Sequence, residues 1–305
     1  FVTPPAPPPV PRVPAAPAAP PAPRSHPTPP TPPTPPAPPA PPRTIAWTVF
    51  HGQNELKVHD MVGTLIVTPE SREDVAVAIE NVAEVLPSPR IERSGRRVEI
   101  IGGAGRVQGC DGGHVRVERH GRVSYRDAPL VRVRTPLDAV ISVSGGVETR
   151  IGPMRTARLA FSGCGDSTFG AVSRQLNLAI NGSGDVRGGA VGGAEVAVAG
   201  SGDVVLGSVS NGLTVAIAGS GDVRAGRVED GDVRVFVRGS GDVSLGGGRI
   251  NDLTVVVSGS GDVVFPGRAQ TLNAVVAGSG DVVVGGVEGA VSRRVVGSGE
   301  VVVGR

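Results

Sequence analysis

From residue 163 onward the chain repeats one four-residue turn, and this repetition constrains the fold more than any local propensity. Gly163-Cys164-Gly165-Asp166 is followed by Gly-Ser-Gly-Asp copies ending at Asp185, Asp203, Asp222, Asp242, Asp262 and Asp281, and an altered copy ends at Glu300. The copies are spaced 18 to 20 residues apart, and Ser144-Gly145-Gly146 reads as a degenerate earlier one. Two, four and six residues before the first turn glycine stand apolar side chains: Ile217, Val215 and Leu213 in one copy, Val237, Val235 and Val233 in the next. Period-two alternation puts such a trio on one face of a strand. A second short strand follows each turn, as at Val223 to Ala225, and a further inward residue such as Val209 or Val228 completes the repeat.

One repeat is therefore one coil of two or three short strands with tight corners. Coils stacked about 4.8 Å apart bury a continuous apolar column and pair their backbone groups with the coils above and below, which no single coil achieves alone. The expected fold is all-β: a right-handed parallel β-helix (β-solenoid) of about 19-residue coils, the hand following the crossover preference of parallel strands. Composition agrees, with 46 glycines for corners and only 3% aromatics.

The remaining chain divides in two. Residues 1–43 contain 22 prolines and no acidic residue, so they cannot bury a core. They read as a disordered proline-rich spacer, reaching roughly 130 Å if extended as polyproline II. Residues 44–134 read as an N-terminal β segment that caps or starts the solenoid, and 135–305 as the solenoid proper. Within 44–134 the expected strands are Ile45 to Phe50, Leu56 to Val58, Leu65 to Val67, Arg97 to Ile101, His114 to Glu118 and Leu130 to Val133, with turns at His51-Gly52 and Val62-Gly63. Around Val75, Val77 and Ile79 a strand is favoured over a helix, although Ser71 and Asp74 could cap one. No run of 18 apolar residues is present to span a bilayer as a helix. The proline-rich spacer ahead of a solenoid, and a start at Phe1, favour an exported chain whose signal peptide has been removed.

The Gly-Ser-Gly-Asp-Val turns, with Asn54-Glu55-Leu56-Lys57-Val58 and Gly63-Thr64-Leu65-Ile66-Val67, resemble the head-GIN domain family of putative auto-transporter adhesins over roughly residues 45–305. That resemblance implies a single-stranded right-handed β-helix, a bacterial origin and an extracytoplasmic location. It implies no catalytic residue.

The residues offer little chemistry. A column of Asp carboxylates about 4.8 Å apart would repel by roughly 1 kcal/mol per neighbour in water. Backbone amides, Ser hydroxyls and Arg187 and Arg224 are the expected compensation. A cation ladder is the weaker reading, because calcium takes six to eight oxygens. The Gly-x-Gly turns lead into strands, whereas phosphate cradles lead into a helix N-terminus. A carbohydrate-active β-helix enzyme is the alternative function, but the repeats hold no histidine; His26, His51, His59, His114 and His120 all precede them. No catalytic, cofactor or metal residue is assigned, and the formal charge of +2 indicates no nucleic-acid partner.

Three further features carry expectations. Cys110 and Cys164, the only cysteines, suit a disulfide in an exported protein if the glycine-rich segment around Cys110 folds back. Ala160, Ala179, Ala197, Ala216, Phe236, Val256 and Val275 stand three residues before successive turn glycines and form an outward apolar stripe. Such a stripe is idle surface, or is covered by the 44–134 segment or by a partner: a surface glycan, a protein or a second copy. Finally, Arg293 takes an inward position that is apolar in the preceding copies, as a charge blunting the end of the stack.

Overall fold

The computed structural model describes residues 46–81 and 83–304, so the proline-rich segment lies outside the described residues. The described chain is all-β, a solenoid of about nine coils with a repeat of about 19 residues. Each coil carries two principal strands flanking its glycine turn, such as Leu213–Gly219 with Val223–Arg227 and Val233–Gly239 with Val243–Gly246. Equivalent strands pair in parallel, Leu213 beside Val233 beside Leu253 and Val223 beside Val243 beside Val263. The third side is held by single bridges through Val191, Val209 and Val228, and in later coils by strand pairing through Ile250, Ala269 and Val287. The inward positions read from the repeat are buried up to the coil of Val282, and Phe265 is the largest fully buried side chain. Those of the last described coil, Val291, Arg293 and Val295, are exposed.

The N-terminal strands are β1 (Thr48–His51), β2 (Glu55–Glu70), β3 (Asp74–Glu80), β4 (Arg90–Ser94), β5 (Arg97–Ile101), β6 (Val107–Asp111), β7 (His114–Val117), β8 (Gly121–Ser124), β9 (Leu130–Pro136) and β10 (Asp138–Ile151). Their order in space differs from their order in sequence. Strand β2 lies in parallel between β5 and β9 on one side and β10 on the other, so it forms a coil inserted between two later ones. The expected turn at Val62-Gly63 is instead a corner within β2, made by Asp60 (φ 51°) and Gly63 (φ 151°). Leu56, Val58, Leu65 and Val67 are thus inward residues on two sides of one coil. The strand favoured around Val75 is present as β3.

The parallel stack does not end on a bare edge. Strand β4 pairs antiparallel with β5, β3 pairs antiparallel with β9, and β1 covers β3. An Arg132–Glu80 ion pair at 2.9 Å ties β9 to β3, and the Trp47 ring lies 4.5 Å from the Arg134 guanidinium. Antiparallel covering strands end parallel growth at this side.

A pair of polar residues interrupts the core of the first coils. Thr149 and Ser167 are stacked in the column that continues as Val186, and both are 1% exposed with hydroxyls lacking a partner. A void of about 10 Å³ adjoins Ser167, close to the smallest space a water needs. An unpaired buried hydroxyl costs about 1–3 kcal/mol. Thr149→Val, which keeps the shape, should therefore raise stability by about 1 kcal/mol, read as a higher urea midpoint at unchanged slope. An unchanged midpoint would mean that the Thr149 hydroxyl costs the fold nothing.

Candidate interaction surfaces

Three surface features rise above the regular scaffold. The first is the turn corner, where each Asp carboxylate accepts the backbone N–H of the Asp one coil further on. This ladder runs from Asp166 through Asp185, Asp203, Asp222, Asp242, Asp262 and Asp281 to Glu300, at 2.8–3.1 Å. The aligned amides hold the carboxylates in place, the compensation that stacked charges need. Of the two arginines expected to help, Arg224 pairs with Asp222 at 2.8 Å and Arg187 stands 3.9 Å from Asp185. The Ser hydroxyls do not provide the compensation expected of them. Ser183, Ser201, Ser220, Ser240, Ser260 and Ser279 are exposed, with no side-chain hydrogen bond among the described residues. Asp alone does the capping, because its carboxylate reaches the next coil.

The second feature is the antiparallel meander β6–β8. It packs Val115, Val117 and Val123 against Val62, Leu86, Ala104 and Ala128 at the side of the first coils. A disulfide between Cys110 in β6 and Cys164 in the first repeated turn fixes it there, with Cα atoms 5.6 Å apart. The meander supplies the fold-back that this bond requires across 54 residues of sequence. Between meander and coils runs a groove lined by His114, Tyr125, Arg126, Glu148 and Arg150. Burial pushes the Tyr125 phenol up to about 12, with the Glu148 and Asp166 charges adding to it. Tyr125 and Glu148 were not singled out in the sequence. They meet because β2 and β10 are neighbouring coils and the meander folds back over them.

The third feature is the outward stripe. Its members are in register from Ser142 to Arg294. The described residues of the 44–134 segment go to the first coils, their covering strands and the meander, and they leave the stripe open. Ala197 and Ala216 are exposed, and Phe236 is 39% exposed. Ala179, Ala197 and Ala216 floor a shallow hollow of about 530 Å³ bounded by Phe236 and Val256.

Over residues 130–269 and 226–304 the chain matches the family model described as "Putative auto-transporter adhesin, head GIN domain". The chain belongs to this family. In this head GIN protein the matched residues include the stacked Gly-x-Gly corners from Asp166 to Glu300. The fold is shared with the crystal structure of a putative adhesin from Parabacteroides distasonis ATCC 8503, at 20% identity and a TM-score of 0.55, covering 85% of this chain and 96% of that one. A putative adhesin from Bacteroides fragilis NCTC 9343 is similar at 15% identity and a TM-score of 0.44, covering 85% and 96% of the two chains. A putative lipid binding protein from Parabacteroides distasonis ATCC 8503 is similar at 15% identity and a TM-score of 0.45, covering 84% and 95%. No curated protein matches the chain. Family membership supports an adhesin-like role with a surface partner.

Proposed function

We propose that this head GIN protein is an exported, non-enzymatic solenoid that presents a structural or adhesive surface at the bacterial envelope. The observation that carries the reading is the stripe: an apolar column along the stack, exposed at its centre, on a scaffold whose interior backbone is paired coil to coil. Soluble monomers seldom keep a long contiguous apolar patch in water without a use for it. The Cys110–Cys164 disulfide supports export, because such bonds persist in oxidising compartments. The carbohydrate-active alternative needs acids, bases or metal ligands converging in a cleft. The groove beside Tyr125 offers one carboxylate, and Glu148 there lies 3.3 Å from Arg150.

The test is a screen of the full chain against immobilised polysaccharides and bacterial envelope fractions, scoring retention and cleavage together. Retention with intact polymer is expected, weakened by Phe236→Asp. Release of shortened polymer would overturn the non-enzymatic reading, and retention indifferent to Phe236→Asp would overturn the role of the stripe.

A further inference from the structure

The stripe is stepped. Its first four members in the repeat region are small (Ala160, Ala179, Ala197, Ala216) and the next three are large (Phe236, Val256, Val275). One half is therefore a trough and the other a ridge, on the same face of the same molecule. We infer that the face is an isologous interface for a second copy of this chain, which packs ridge into trough about a two-fold axis at the step between Ala216 and Phe236. The inference rests on the reading of the stripe as a working surface and names its occupant.

The two-fold lies along the strand direction, so the solenoid axes run antiparallel and each coil faces its opposite number across the step. Phe236 then meets the second copy's Ala216, Val256 its Ala197 and Val275 its Ala179, a large side chain against a small one at each level. An isologous contact requires this reciprocity, in which i meets j and j meets i. In the flanking column Arg234 faces the second copy's Thr214 and lies one coil from both its Glu195 and its Arg234. Asp232 of its own copy meets the Arg234 charge at 3.0 Å, so this margin is not a charge clash. Six coils at about 4.8 Å and strands of seven residues give a face of roughly 29 by 23 Å. That is about 660 Å² per copy, within the range of a standard specific interface. Sheets packed face to face with strands within about 30° of each other are an ordinary arrangement. The exposed Ser and Asp columns of the turn corner stay free for other partners in this dimer.

Sedimentation equilibrium of the full chain tests the inference. A dimer is expected for the wild type, and a shift to monomer of at least tenfold in dissociation constant for Phe236→Asp, whose outward side chain leaves the fold intact by circular dichroism. The register is tested by mixing. Oxidation of an Ala197→Cys protein with a Val256→Cys protein should give a covalent heterodimer, and neither protein alone should crosslink comparably. A monomeric wild type, or a dimer indifferent to Phe236→Asp, overturns the inference. Crosslinking no better in the mixture than in either protein alone overturns the two-fold register. If the wild type is monomeric while Phe236→Asp still loses retention on envelope fractions, only the second copy falls and the adhesive reading stands.

Discussion

The Gly219→Ala protein is expected to lose on the order of 3 kcal/mol or more of stability. Gly219 adopts φ +144°, a conformation that L side chains rarely take, and a Cβ there would lie 2.2 Å from the Gly200 carbonyl oxygen. That carbonyl accepts the Ser220 and Gly221 amides at 3.0 and 3.2 Å. The methyl group would thus occupy the space that lets successive corners bond, and the damage would pass to Gly239, whose own corner sits on the Gly219 carbonyl. Backbone strain alone costs about 1–3 kcal/mol, and each lost corner hydrogen bond adds about 1 kcal/mol. Gly247→Ala is the matched control, since a Cβ there meets nothing within 4 Å, and its effect should stay within about 0.5 kcal/mol. Urea unfolding of both proteins decides the matter. Equal midpoints would show that the glycine ladder is not what sets the coil spacing.

The same ladder explains which parts of the fold were legible in the sequence. Corners that stack on one another must repeat their chemistry, so Gly-Ser-Gly-Asp recurs wherever coil follows coil in chain order. The first coils break that order. Leu65 pairs with Val131, and Glu55 with Arg97, so contacts within one stack join segments that no fixed period relates. Strand alternation was still readable there, as β5 shows, but the insertion of β2 between β9 and β10 was not. The hairpins left a fainter mark. Gly112 and Gly113 both take positive φ between Asp111 and His114, the tight turn that a two-glycine loop favours, yet a glycine-rich segment gives several places for such a turn. Among the surfaces, the stripe was visible as a period, and its step from Ala216 to Phe236 was already written in the residues. The Tyr125 groove was not, because its walls come from three separate stretches of chain.

Replacing Arg293 with valine should turn the last described coil into a sticky end. Arg293 is in register with Ala274, which is fully buried, and so occupies an inward position with no further coil stacked on it among the described residues. Its guanidinium donates to the Val301 carbonyl at 3.4 Å, across the open cross-section of the coil. Either side of it Val291 is 46% exposed and Val295 39% exposed, so without the charge this end is an apolar surface beside an unpaired strand edge. Stacking another molecule there would strip water from the guanidinium, at a cost of several kcal/mol. Valine removes that cost and extends the inward column by one member. Arg293→Val should therefore form concentration-dependent assemblies larger than those of the wild type, seen as faster boundaries in sedimentation velocity. Arg294→Val, one residue on and outward, leaves the buried column unchanged and should not add to end-on assembly. The opposite end gives the precedent within this molecule, for there β3 and β4 cover the first coil by antiparallel pairing. The two ends thus use different devices against the same hazard, a covering strand at one and an inward charge at the other. An Arg293→Val protein that sediments like the wild type at high concentration would show that the charge is not what keeps this end apart.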